Sequence, residues 1–327
     1  MELSWKVALN TFAAIGIGVP IVLSFFGVPV LTRLRIIGSM ATGAVVTGLW
    51  GWSTVRPTDP LGAVTLFGGE FTIFEVFNCG LLAFLSGGAA YFLCYPYGRK
   101  IAPLAGPTGL AIWGIRGGDM TSLLRVNHTL ADRQALYASL RWEGFFWVLI
   151  LAASYFGVLA ADRLAGRKFE DVRDNNNNDN SLTNKLLSII TAIVLTILIT
   201  QFSIGMLAQD VRMSDSQIGS VVGQPSVGQI AFAVAFSFGI AAFTAKKFLN
   251  VGYVYPAASA GLLTFFTLTF FAAKQDILEH MVRTWPVPFF TRATCAVLPL
   301  QMVAFAAVGS ICGYWMALKY KGRKHYE

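Results

Sequence analysis

The stretch Gly87–Trp113, GGAAYFLCYPYGRKIAPLAGPTGLAIW, decides how the chain is read. Farther along, Gly239–Phe265 runs GIAAFTAKKFLNVGYVYPAASAGLLTF. Gly87, Ala89, Ala90 and Tyr91 recur as Gly239, Ala241, Ala242 and Phe243; Gly109-Leu110 recurs as Gly261-Leu262, and Trp113 is answered by Phe265. Every match has the same offset of 152 residues. Each copy reads as a helix rich in small residues, a short basic turn (Arg99-Lys100; Lys246-Lys247) and a second apolar run. That is the pattern of a helical hairpin that crosses a bilayer and returns.

Composition agrees. Of 327 residues 55% are hydrophobic and 13% charged, about half the charge of an ordinary soluble domain, and the mean hydropathy is +0.60. The charges gather in short clusters between long uncharged runs, several of them near the ~20 residues that a spanning helix needs. Lipid offers the backbone no hydrogen-bond partners, and the runs do not alternate, so helices are expected rather than a barrel. The expected fold is therefore an all-α polytopic membrane protein.

Nine spans can be drawn: Val7–Phe26, Ile36–Val55, Phe74–Tyr95, Ile101–Ile115, Phe145–Ala161, Leu186–Leu207, Val227–Ala245, Val251–Ala273 and Phe289–Leu318. The fourth is short and holds Pro103 and Pro107, so a re-entrant or interfacial segment is its alternative. Grouped, residues 1–30 supply one N-terminal helix. Residues 31–165 and 185–327 form two tandem four-helix units in parallel orientation, joined by an Asn-rich linker over 166–184. An amphipathic stretch precedes the last span of each unit, Thr121–Trp142 and Lys274–Trp285, and both read as interfacial.

Charge sets the orientation. With the N-terminus outside and the C-terminus on the matrix or cytoplasmic side, the inner loops hold 15 of the 25 basic residues against six acidic ones, a net of +9. The outer segments carry ten basic and eleven acidic residues, a net of −1. This lopsidedness is the positive-inside rule at work, and it points to a bacterial cytoplasmic or mitochondrial inner membrane. The same distribution argues against nucleic acid as the partner of the net +8 charge, because no basic run is interleaved with aromatics in a soluble segment.

Few residues offer chemistry. Glu75 is the one acidic residue written inside a span, and Asn78 follows three residues on along the same face. Gln229 is their nearest polar counterpart in the second unit. These three are either a polar site between repeats or, as Glu75's place in the first turn favours, groups reaching for the interface. Pro103, Gly106, Pro107 and Gly109, with Pro256 and Gly261 in the second copy, mark sites of helix packing or discontinuity. His128, His280 and His325 fall outside the spans, and the four cysteines form no C-x-x-C pair, so neither a metal nor a cofactor is expected. No phosphate-binding Gly motif and no nucleophile–base arrangement occurs, so no enzyme activity is expected.

Two functions fit. The first is a non-catalytic accessory or scaffold subunit of a larger membrane complex, an energy-converting one being an example, whose partners are lipids and other membrane subunits. The second is a secondary transporter or channel for a small solute, in which the polar and Pro/Gly positions line a path.

Overall fold

A computed structural model describes residues 29–58, 62–67, 71–127, 129–166, 182–215, 219–272, 274, 276, 278–279 and 292–323. The expected first span, most of the Asn-rich linker, most of Lys274–Trp285 and all three histidines lie outside these residues. Helix dominates. Helix α1 covers Val30–Gly43 and continues as a π-helical segment to Trp50; α2 is Ile73–Leu93. A single turn at Gly98–Ile101 and a 3-10 turn at Ala102–Leu104 lead into α3, Ala105–Arg116. Then come α4 (Met120–Val126), α5 (Leu130–Leu164) and α6 (Leu182–Leu207). Finally there are α7 (Val227–Thr244, extended by a π segment to Leu249), α8 (Val254–Thr267, extended likewise to Ala272) and α9 (Pro299–Arg323).

Six of these helices are long and apolar enough to cross a membrane: Val30–Trp50, Ile73–Leu93, Leu130–Leu164, Thr183–Leu207, Val227–Leu249 and Pro299–Tyr320. Two segments differ from what was expected. The fourth drawn span is the 12-residue α3, about 18 Å long at 1.5 Å per residue, too short to cross ~30 Å of hydrocarbon by itself. The outer stretch expected over Thr121–Trp142 is not a separate interfacial element: α4 ends at Val126, and from Leu130 the chain runs straight into the fifth span as one helix of 35 residues. The fold is all-helical as expected, with one short hairpin between α6 and α7 in which Val211–Asp215 (β1) pairs antiparallel with Gly219–Gly223 (β2). Apolar and polar residues alternate along Val211–Ser214, the period of a strand rather than a helix.

Helix α6 shows why these sequences fold as they do. Ile190, Val194, Leu198, Phe202 and Met206 are exposed along one face, and Ala192, Thr196, Thr200 and Ile204 are buried along the other. The large apolar chains face outward and the small ones inward, the reverse of a soluble helix, because lipid is as apolar as leucine and close backbone approach drives packing instead. Thr196 and Thr200 donate their hydroxyls back to Ala192 and Thr196 carbonyl oxygens at 2.6 and 2.7 Å, so burial leaves neither unsatisfied.

The chain forms two compact units that do not follow chain order. One comprises the described parts of Met1–Val55, Phe74–Arg116 and Ile150–Lys168; the other, those of Arg56–Ile73, Gly117–Leu149 and Phe169–Glu327. The boundary at Leu149 and Ile150 falls inside α5. In the first unit, Ala90, Tyr91, Ala102, Ala105, Val158 and Ala161 form a core of mostly small side chains. A Cβ added at Gly87 would strike the Ser154 carbonyl, and one at Gly157 would strike the Phe84 carbonyl, so α2 and α5 meet backbone to backbone. The second unit repeats that device between α7 and α9: a Cβ at Gly309 would strike the Ala235 carbonyl, and one at Gly313 the Gly239 carbonyl.

Candidate functional site

Among the described residues the first unit buries one carboxylate, and it lies just past an expected span. Asp162, 6% exposed, sits on the last turn of α5. Tyr91 donates its hydroxyl to Asp162 Oδ1 at 2.8 Å, and Arg99 Nη1 stands 4.0 Å from Oδ2. The basic turn between α2 and α3 is thereby tied to the end of α5. Above it the α3 segment is enclosed: every residue from Ile101 to Gly114 is buried. Pro103 is the second residue of the 3-10 turn, a place where the missing N–H costs nothing. A Cβ at Gly106 would meet the Ser154 side chain, and one at Gly109 the Thr47 side chain. Trp113 donates its indole N–H to the Gly48 carbonyl at 3.1 Å. The Pro/Gly positions here are packing positions.

In the second unit a carboxylate is buried within a span. Glu143, on α5, has no exposed surface. Its Oε1 accepts the Phe67 N–H at 2.9 Å, which ties the extended segment 62–67 to the helix, and the Leu66 backbone and the Trp147 side chain also interact with the carboxylate. The Phe67 ring meets Phe146 edge-on at 5.2 Å. One residue on, Gly144 packs on Gly261 and Thr264 of α8: a Cβ at Gly144 would lie 3.1 Å from Thr264 Cβ and 3.3 Å from Gly261 Cα. Gly261 thus serves helix packing. Pro256 lies buried in the first turn of α8. Phe265 fills the space beside Trp142 and Phe145, at 5.0 and 5.8 Å between rings.

A second polar cluster joins α6, α8 and the 3-10 turn Ala293–Ala296. Thr267 donates its hydroxyl to Gln201 Oε1 at 3.4 Å, and Gln201 Nε2 donates to Thr294 Oγ1 at 3.2 Å. Next to Thr294, Cys295 is buried in one apolar cluster with Tyr137, where it packs as a small apolar side chain. Among the described residues no three His, Cys, Asp or Glu side chains stand together as metal ligands.

The residues singled out from the sequence do not form one site. Glu75 is half-buried in the first turn of α2, and Asn78 donates to Thr54 Oγ1 at 3.5 Å, both in the first unit. Gln229 belongs to the second, where its Nε2 donates to the Leu207 carbonyl at 2.8 Å and satisfies the C-terminal end of α6. Sequence reasoning passed over Glu143 and Gln201. For Glu143 a signal exists: Leu136, Leu140, Glu143, Trp147 and Ile150 recur every three or four residues and are all buried. Its neighbour Trp142 reads as an interfacial anchor, which drew the whole segment outward. Comparison of the chain with protein-family models, with curated proteins and with solved structures finds no match.

Proposed function

We propose that the protein is a non-catalytic integral-membrane subunit, a scaffold within a larger membrane complex. The observation that carries this reading is the backbone-to-backbone dovetailing inside each compact unit, at Gly87 and Gly157 in one and at Gly309 and Gly313 in the other. Helices locked at that distance make a rigid frame and leave little room between them for a solute. The span polar groups are used in the same way, Gln229 on Leu207 and Gln201 between Thr267 and Thr294. As part of the proposal, residues 31–165 and 185–327 are two parallel copies of one four-helix unit. The helix starts Val30 and Leu182, and the close-contact pairs Gly87/Gly239 and Gly157/Gly309, all carry the 152-residue offset, which supports common descent of the two halves. The chain crosses nine times under this reading, with the turns Gly98–Leu104 and α3 counted as one crossing, α8 and its π-helical extension as another, and the C-terminus inside.

One observation favours the second reading. Glu143 is a fully buried carboxylate in a span with no cation beside it among the described residues, and such groups commonly serve proton or ion movement. Native purification in mild detergent followed by mass spectrometry separates the two. Stoichiometric partner subunits are expected; a lone oligomer that moves protons or a solute in proteoliposomes, and stops doing so on Glu143→Gln, would replace the scaffold with a transporter.

A further inference from the structure

The first turns of α5, ahead of the expected span Phe145–Ala161, carry Arg133, Tyr137 and Arg141 at a spacing of four residues, along one side of the helix and within the second unit. Tyr137 has no exposed surface, yet among the described residues its hydroxyl has no hydrogen-bond partner. Two buried guanidinium nitrogens beside it are in the same position, Arg133 Nη1 and Arg141 Nε. Arg133 is anchored by its Nε, which donates to the Asn127 carbonyl at 3.0 Å and leaves Nη1 over; its charge reaches the Tyr137 hydroxyl. A helical side chain leans toward the N-terminus of its helix, which carries Arg141 back toward Tyr137. On α4, whose Met120 and Leu124 pack in one apolar cluster with Tyr137, Thr121 is buried and its hydroxyl is likewise without a partner. No carboxylate answers these donors. Among the described residues neither arginine forms an ion pair, and Glu143, two places beyond Arg141, is engaged by Phe67, Leu66 and Trp147.

We propose that Arg133, Tyr137 and Arg141 bind a small oxyanion, a carboxylate or phosphate in class. A buried donor without an acceptor is costly, and more so when it belongs to a cation. What this side of α5 lacks is acceptors and negative charge, and an oxyanion brings both: guanidinium N–H groups and a phenol hydroxyl all donate to its oxygens. Water would meet the hydroxyl but would leave two partly buried cations without a counter-charge. Arg133 and Arg141 are themselves half-buried, so an anion has a way in from the surface while the inner N–H groups stay shielded. Neither the scaffold nor the transporter reading is needed for such a site.

Thermal melts of the full chain in a neutral maltoside detergent test it, with inorganic phosphate and acetate as the probes and sodium chloride at equal ionic strength as the reference. At least one probe is expected to raise the melting temperature saturably above chloride. Tyr137→Phe removes the orphaned hydroxyl and keeps the ring, so its melting temperature in chloride should equal or exceed that of the wild type, while the apparent affinity for the probe falls about fivefold. Arg141→Lys keeps the charge but loses the Nε–H and should weaken the probe about tenfold. Lys247→Gln, on the π segment after α7, should change nothing. No stabilisation beyond chloride, a Tyr137→Phe variant that melts below the wild type in chloride, or a response untouched by both Tyr137→Phe and Arg141→Lys would each overturn the assignment.

Discussion

Glu143 shows how a single side chain changes the reading of a span. An ionised carboxylate without a cation at hand is costly in an apolar interior, yet what the fold uses is its oxygen, as acceptor for the Phe67 N–H. Glutamine supplies the same acceptor without the charge. Glu143→Gln is therefore expected to unfold in detergent at or above the wild-type temperature, whereas Glu143→Ala leaves a buried N–H unmet and should lose ~1–3 kcal/mol. Gln201 is a milder case. Its amide joins Thr267 to Thr294, so Gln201→Leu should cost roughly 0.5–2 kcal/mol, read as a lower denaturation midpoint. Neither residue was legible as structural from the sequence. A polar letter in an apolar run looks the same whether it faces a path or a backbone amide, and only its partners tell them apart.

At the scale of helices, glycine position matters more than glycine number. Gly309 and Gly205 both lie in membrane-length helices, α9 and α6, but a Cβ at Gly309 meets the Ala235 backbone and one at Gly205 meets nothing. Gly309→Ala should lose ~1–3 kcal/mol, because the helices must separate to admit a methyl group. Gly205→Ala should be neutral or stabilising by up to ~1 kcal/mol, since alanine is the better helix former. Thermal melts of both variants in one detergent make the comparison, and equal losses would remove the close-contact account of α7 and α9. The 152-residue echo was visible in the letters, and Gly87 and Gly239 lay within it. Their partners Gly157 and Gly309 did not stand out, because a close contact is a property of two helices and appears in neither sequence alone.

For the whole molecule the open quantity is the number of crossings. Six helices reach the length required, while α3 covers about 18 Å and is enclosed by its own unit. Nine crossings place the turn at Arg99-Lys100 and the segment around Asp119 on opposite faces, and they place the Asn-rich linker and the C-terminal tail on the same face. Single cysteines at residues 100, 119, 176 and 324 of a variant lacking the native four, labelled from each side with an impermeant maleimide, check both statements. Labelling of 100 and 119 from the same side would make α3 a re-entrant element and would break the alternation downstream of it.

Helix and membrane residence were set by the chain's own letters, because lipid compels the backbone to bond within each segment. Tertiary structure alone decided the rest. It merged Leu130–Trp142 with the following span into one helix, shortened the fourth segment to α3, and buried Glu143 against Phe67. Those outcomes turn on which surfaces meet at a distance in the chain, and a spanning sequence that looks uniformly apolar carries almost no local record of its neighbours.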